Sequence, residues 1–153
     1  MDLVLVDLGT NDLCDLPATT VPAFRLRLEA GLQQIAERAP SARIVVVSIV
    51  DQPAIWEVVK TVPGVRTVRG FCRATMDSGT RAALAASTRV MNRMLATVCG
   101  QHPQCRYDGG AAFRIRWSRA DVSSVDYFHP SLSGQRKIAA AVWASGAITD
   151  DYS

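Results

Sequence analysis

The stretch Leu3-Val4-Leu5-Val6-Asp7-Leu8, followed directly by Gly9-Thr10-Asn11-Asp12, decides the fold of this chain. The first six residues form a nearly continuous apolar run rich in valine, which is typical of a strand buried on both faces of a parallel sheet. The glycine and the polar residues behind it indicate a turn. We therefore expect a buried strand at residues 3–8 with a polar loop at its carboxyl end.

The segments that follow extend this strand into an α/β fold. Between Thr20 and Pro40, apolar residues recur at helical spacing, and Pro22 suits the first turn of a helix. Residues 42–50 again resemble a doubly buried strand, so strand, helix and strand form a βαβ unit with a right-handed crossover. The remaining expected elements are, in order, a short helix near residues 55–60, a helix at 80–98, a short strand at 105–108 and a last helix capped by Ser131. Together they predict a single domain over residues 1–153.

Composition and charge narrow the classes of function. With 153 residues, 48% of them hydrophobic, the chain can bury the core of one globular domain. The formal net charge of +3 is spread along the sequence without a basic run interleaved with aromatics, which argues against nucleic acid as a partner. No apolar stretch reaches the roughly 18 residues of a membrane span, and no signal peptide is visible.

The four cysteines bear on the cellular compartment. Cys99 and Cys105 bracket a short polar loop where a local disulfide fits, and Cys14 and Cys72 would then join two further loops. None stands in a close pair with histidine, as a zinc site would show, so we expect no metal site. Two disulfides would indicate an exported protein, whereas four reduced cysteines of a cytosolic protein are the alternative.

Two motifs resemble those of the SGNH, or GDSL-type, ester hydrolases. Gly9-Thr10-Asn11-Asp12 after a buried strand is similar to the third sequence block of that family. Asp126-Tyr127-Phe128-His129-Pro130, followed by Ser131-Leu132-Ser133-Gly134-Gln135, is similar to its fifth block. The resemblance implies a three-layer α/β/α sandwich with a flavodoxin-like parallel sheet. It also implies hydrolysis of a small ester or lipid through a serine acyl-enzyme, without a cofactor.

By position, the resemblance assigns the groups of the active site. His129 would be the general base and Asp126 the carboxylate that orients it, since a spacing of three residues lets one loop return the carboxylate to the imidazole. Asn11 would donate its side-chain amide to the oxyanion. Gly9 would belong to the same oxyanion side of the site, where it lets the backbone pass close to the reacting atoms.

The nucleophile of the family is not found ahead of Asn11. In the family it lies in a Gly-Asp-Ser block on a strand upstream of the third block, so the chain resembles the C-terminal portion of an N-terminally truncated domain. Ser78, in Asp77-Ser78-Gly79, is better explained by a helix cap formed by Asp77 or Ser78 than as a nucleophile. The other serines considered have no stronger claim: Ser48 in a buried strand, and Ser123 and Ser124 beside the Asp126 loop. The sequence therefore assigns no nucleophile in this chain.

Two functions follow from these expectations. The first is a full-length ester hydrolase, secreted or bound to the cell envelope, to which this chain supplies the base, its orienting carboxylate and an oxyanion donor. The second is a non-catalytic remnant or binding module that self-associates through an exposed strand at residues 3–8, because unpaired apolar edges pair with other chains. A flavodoxin-like nucleotide binder is less favoured, since no glycine-rich phosphate loop follows a strand.

Overall fold

A small parallel sheet organises the chain. The structure is a computed structural model that describes residues 3–14, 20–68 and 72–149. Its three strands are β1 (Leu3–Val6), β2 (Arg43–Val46) and β3 (Cys105–Tyr107). They lie in the order β1-β2-β3, and both neighbouring pairs run parallel. The expected parallel sheet is thereby confirmed. Each strand lies within its expected range, although β2 covers only residues 43–46 of the expected 42–50.

Helices connect the strands and cover the sheet. They are α1 (Thr10–Cys14), α2 (Val21–Arg38), α3 (Gln52–Val59), α4 (Ser78–Cys99) and α5 (Leu132–Ala144). Three short 3-10 turns lie at Val65–Thr67, Arg73–Thr75 and Arg119–Asp121. Since parallel strands need crossover connections, α2 returns the chain from β1 to β2, and α3 and α4 return it from β2 to β3.

The core has two parts, one on each face of the sheet. Ile44 and Val46 of β2 belong to the larger cluster, which includes the inner faces of α2 and α4. The alternate residues Val45 and Val47 point the other way and cluster with Val142 of α5. Because successive side chains of a strand face opposite sides, β2 is buried on both. The predicted three-layer α/β/α arrangement is confirmed.

Capping side chains set the start of the main helices. The Thr20 hydroxyl accepts a hydrogen bond from the Ala23 N–H at the start of α2. The Asp77 carboxylate accepts from the backbone N–H groups of Gly79 and Thr80 at the start of α4, which is the cap expected from the sequence. Helix α3 begins at Gln52, earlier than predicted, because Asp51 caps it and Pro53 fits its first turn. Ser131 caps α5 as expected.

The first strand departs from the expectation in two ways. It ends at Val6 rather than at Leu8, and residues 10–14 form the short helix α1 instead of a turn. It is also not buried on both faces: Leu3, Leu5 and Leu8 are 47%, 56% and 57% exposed. The reason is that β1 pairs with β2 alone, so one edge of the sheet is open among the described residues.

Both expected disulfides are present. Cys14 at the end of α1 is bonded to Cys72, and Cys99 at the end of α4 is bonded to Cys105 at the start of β3. Within the described residues no cysteine is free. The alternative of four reduced cysteines is therefore wrong for this structure. In the same part of the chain, no helix has the length and apolar character to cross a membrane.

Candidate active site

The Asp126 carboxylate and the His129 imidazole form a direct pair. Asp126 Oδ2 lies 2.7 Å from His129 Nδ1. Its other oxygen, Oδ1, accepts the backbone N–H groups of Phe128 at 3.0 Å and of His129 at 3.1 Å. An ionised carboxylate accepts only, so His129 Nδ1 is the donor of the short contact. This tautomer leaves Nε2 as an acceptor for a proton, as a general base requires.

Hydrogen bonds keep Asp126 ionised. Partial burial opposes ionisation, but donation by the His129 ring and by the backbone N–H groups of Phe128 and His129 outweighs it, so the pKa of Asp126 lies below its usual value. The His129 side chain itself is 66% exposed. Its ring rests edge-on against buried Phe128, with ring centroids 4.9 Å apart. The imidazole is therefore held by one carboxylate and one aromatic neighbour and faces solvent elsewhere.

The loop that carries the pair has an unusual backbone. Tyr127 has φ of 55°, the one positive φ at a non-glycine residue among those described. A bulky residue adopts this left-handed conformation only where the surroundings enforce it. Here the Arg119 guanidinium lies 4.9 Å above the Tyr127 ring, and the Tyr127 N–H donates to Ser123 O at 3.2 Å. The resulting tight turn places the Asp126 carboxylate in contact with the His129 ring.

Gly9 and Asn11 form the opposite wall of the site. Gly9 has φ of 110°, and a Cβ there would lie 2.6 Å from Ile49 Cδ1. The site thus needs glycine for both conformation and space. The Gly9 carbonyl accepts the Leu13 N–H at 3.1 Å, so it starts α1 and leaves Asn11 exposed in the first turn. Within the described residues the Asn11 amide makes no hydrogen bond, and it is available to a ligand.

A cavity of about 290 Å³ joins the two walls. Gly9, Asn11 and His129 all line it, and Asp126 contacts the imidazole at Nδ1. All four residues singled out from the sequence are therefore brought to one place at the carboxyl end of β1. This position agrees with the rule that open parallel sheets bind ligands beyond the carboxyl ends of their strands.

Sequence reasoning missed two residues that support this wall. Gln52 is buried at the start of α3 and lines the cavity. Asn92 of α4 is also buried, and its amide accepts from Ile49 N at 2.8 Å and donates to Ile49 O at 3.0 Å. It thereby fixes the segment against which Gly9 packs. No local pattern marks Asn92, because its partner lies 43 positions away.

No hydroxyl of a described serine hydrogen-bonds to His129. Ser48, expected in a buried strand, lies just beyond β2; it is fully buried and donates to Asp108 at 2.8 Å. Ser123 accepts the Val125 N–H, and Ser131 donates to a backbone carbonyl at the base of the loop. Ser78 opens α4 beside its Asp77 cap. Within the described ranges, no group of three or more His, Cys, Asp or Glu residues could hold a metal ion.

Comparisons with known proteins relate the chain to esterases. The profile of the GDSL-like Lipase/Acylhydrolase family matches residues 1–137. Among solved structures, the chain is similar to a candidate platelet activating factor from Streptococcus pneumonia, with a TM-score of 0.61, 18% identity and coverage of 94% of this chain. It is also similar to an extracellular lipase from Streptomyces rimosus, with a TM-score of 0.53, 22% identity and coverage of 95% of this chain. No curated protein sequence gives a significant match.

The lengths of these structures differ from that of the chain. The alignment covers 59% of the first structure and 69% of the second. The chain therefore spans less than two thirds of the length of the first structure. At identities below a quarter, these two likenesses concern the fold alone.

Proposed function

Since the chain belongs to the GDSL-like lipase/acylhydrolase family, we propose that it carries the base and the oxyanion side of a serine ester hydrolase. In this proposal residues 1–153 act as one domain, and the substrate is a small ester or a lipid. The observation that carries the proposal is the 2.7 Å contact between Asp126 and His129, whose ring lines the same cavity as Asn11. No cofactor is needed, because the chemistry is acyl transfer.

His129 is proposed as the general base and Asp126 as its orienting carboxylate. The imidazole takes the proton of a serine hydroxyl at Nε2 while that oxygen attacks the ester carbonyl. The imidazolium then gives the proton to the departing alcohol, and a water molecule repeats the sequence to release the acid. Asp126 stabilises the imidazolium that forms in each step, which is why its ionised state matters.

Asn11 is proposed as a donor to the oxyanion. Its exposed amide lines the cavity, and no described residue occupies its hydrogen-bonding capacity. Gly9, two residues before it, lets the backbone pass close to the cavity without strain, so Gly9 supports the same side. Removal of one preorganised donor of this kind costs about 3 to 4 kcal/mol of transition-state stabilisation.

The nucleophile is proposed to be a serine outside the described residues. No described serine hydroxyl hydrogen-bonds to His129, and the hydroxyls of Ser48, Ser123, Ser131 and Ser133 bond to other groups. Loss of a triad nucleophile lowers kcat by about 10⁶-fold in enzymes of this type. The chain of 153 residues is accordingly expected to hydrolyse p-nitrophenyl acetate only at a residual rate.

A fluorophosphonate probe tests this assignment, because it labels activated serines covalently. The chain alone should remain unlabelled. A longer polypeptide translated in frame upstream of Met1 should be labelled on one serine and should turn over p-nitrophenyl acetate. His129→Ala should abolish both, and Asn11→Ala should lower kcat about 10² to 10³-fold with the fold intact.

Other outcomes have distinct meanings. Labelling of a serine within the 153 residues that depends on His129 would contradict the external nucleophile but keep the hydrolase. A longer polypeptide whose turnover survives His129→Ala would contradict the assigned base. Thr149→Ala is a suitable control, since this exposed residue follows the last helix and lies away from the cavity.

Export of the protein is part of the proposal. Its two disulfides are typical of proteins that work in an oxidising compartment. The related structure from Streptomyces rimosus is described as an extracellular lipase. We therefore place the hydrolase outside the cytoplasm, either secreted or at the cell envelope. Detection of the oxidised protein in the culture medium or envelope fraction tests this placement, and recovery only in the cytosol with free thiols would contradict it.

A second candidate function is self-association through β1. The observation that favours it is the half-exposed Leu3 and Leu5 on an unpaired strand edge. Exposed edges of this kind pair with other chains. In that case the chain would be a non-catalytic module held to a second copy. A stable monomer at high concentration in light scattering would contradict this candidate.

A further inference from the structure

We infer that Asp121, a buried carboxylate outside the predicted site, is the positioning residue that holds the His129 loop in its working geometry. The inference rests on the proposed role of His129 as a base. Asp121 does not touch the cavity that contains Asn11 and His129. It acts through the two ends of the loop of residues 122–130 and through α5.

The carboxylate of Asp121 is 1% exposed and is fully bonded. Its Oδ2 accepts the Ser118 N–H at 2.8 Å, the Ser118 hydroxyl at 2.6 Å and the Lys137 ammonium at 2.5 Å. Its Oδ1 accepts the Ser133 hydroxyl at 2.8 Å. Ser118 precedes the loop, whereas Ser133 and Lys137 belong to α5. One side chain therefore joins the segment before the loop to the helix after it.

The backbone around Asp121 closes the loop at its base. Asp121 O accepts the Ser131 N–H at 2.9 Å, and Ala120 O accepts the Ser131 hydroxyl at 2.7 Å. One step further into the loop, the Ser123 N–H donates to His129 O at 2.9 Å. The position of the His129 backbone thus follows directly from where residues 120–123 lie.

The close approach of α5 to Asp121 is built into the sequence. A Cβ on Gly134 would lie 2.2 Å from the Asp121 carbonyl oxygen, so only glycine fits at that point of the helix. The side-chain bonds of Asp121 to Ser133 and Lys137 hold the helix there. Loosening them lets α5 and the attached Ser131 move away from residues 120–123.

His129 depends on the closed ends of its loop because few other contacts hold its side chain. Its side chain is mostly exposed and contacts Asp126 and Phe128. The contact with Asp126 needs the turn at Tyr127, whose φ is positive and therefore costly. A loop whose ends are free can relax that turn, and the imidazole would then lose its fixed partner at Nδ1.

The tautomer of His129 reports this positioning directly. The chain has two histidines, so His102, in the loop closed by the Cys99 to Cys105 disulfide, serves as an internal reference. In ¹⁵N NMR of the neutral ring, the parent should show the proton of His129 on Nδ1, donated to Asp126. In Asp126→Asn the His129 ring has no carboxylate partner, so the ¹⁵N spectrum of that variant is the reference for an imidazole that has lost its contact at Nδ1.

Asp121→Asn should shift His129 toward the Nε2–H tautomer, and the pKa of Asp126 in ¹³C NMR should rise toward the ordinary value of about 3.9. Lys137→Met should give the same changes to a smaller degree. His102 should not change. The control is Asp77→Asn, which makes the same chemical change at an exposed carboxylate that caps α4 by accepting the backbone N–H groups of Gly79 and Thr80, away from the His129 loop.

The inference is overturned if folded Asp121→Asn keeps the parent tautomer and Asp126 titration, or if Asp77→Asn produces the same changes. Where Asp121→Asn fails to fold, Lys137→Met and Ser133→Ala decide, because each removes one donor and leaves the carboxylate in place. These measurements need no turnover. An unaltered tautomer in folded Asp121→Asn therefore counts against Asp121 alone, whereas turnover that survives His129→Ala in a longer polypeptide counts against the proposed function.

Discussion

At the scale of single residues, the site depends on a glycine that no other residue can replace. Gly9→Ala would force a side chain into a backbone with φ of 110° and place its Cβ 2.6 Å from Ile49 Cδ1. Strain of this kind and overpacking each cost about 1 to 3 kcal/mol. We expect the free energy of unfolding to fall by at least that amount in urea titration, with loss of contact between Asn11 and the cavity.

Gly31→Ala is the matched control for that change. Gly31 lies inside α2, and a Cβ there would meet nothing within 4 Å. Alanine favours a helix interior over glycine by about 1 kcal/mol, so this variant should be slightly more stable than the parent. Equal destabilisation by both substitutions would mean that the Gly9 backbone does not have the conformation described.

At the scale of elements, the attachment of α5 predicts how the fold responds to acid. The Lys137 ammonium, followed by the hydroxyl of Ser118, holds the pKa of Asp121 well below its usual range. In the unfolded chain its pKa is about 3.9. The folded state therefore binds this proton less readily than the unfolded state, and the stability contributed by Asp121 is complete above about pH 4 and is lost as the pH falls.

We expect the free energy of unfolding of the parent to decline between about pH 4 and pH 2, and Asp121→Asn to flatten that decline. Asp51→Asn is a useful comparison because Asp51 changes the stability with pH in the opposite direction: burial raises the pKa of Asp51 in the folded state. Because that raised pKa lies above the unfolded value of about 3.9, Asp51→Asn should remove a gain in stability that develops as the pH falls toward about 4, and it should leave the decline below about pH 4 unchanged. Urea titrations across this pH range supply the measurement, and an unchanged slope in Asp121→Asn would contradict the ion pair.

The elements also show what the sequence could and could not predict. Helices α2, α4 and α5 start where Thr20, Asp77 and Ser131 signal a cap, because capping is local. The spacing of Asp126 and His129 likewise encodes a local contact, and the structure contains it. Gly9 and Asn11 lie across the cavity from His129, as the resemblance to a known family implies.

Contacts between distant residues could not be predicted in this way. Asn92 bonds to Ile49 and Asp121 bonds to Lys137 only after the helices have packed. For Asp121 one signal was present, since Ser118 and Asp121 form a capping box around a 3-10 turn. The apolar run at residues 3–8 by itself predicts a doubly buried strand, because such a run does not reveal how many strands flank it. The exposure of β1 was expected only for a truncated domain that lacks the neighbouring strand.

At the scale of the whole molecule, the open side of the sheet is a large apolar surface. A groove of about 310 Å³ lies between β1 and α2 and includes Val6 and Phe24. A second groove of about 360 Å³ lies on the other face, between β1 and α5, and includes Leu5 and Trp143. Trp143 is 62% exposed. Apolar surface on both faces of an unpaired strand favours the addition of another strand at this edge.

Leu5→Lys tests association at this edge. A charge in the middle of an edge strand blocks pairing with another chain, so a parent that associates should become monomeric when Leu5 carries it. Leu26→Lys is the control, since Leu26 is 68% exposed on α2 and does not line either groove. Light scattering coupled to size exclusion, across a wide concentration range, gives the mass of each variant. A parent that is monomeric throughout, or a loss of association in Leu26→Lys as well, would exclude β1 as the interface.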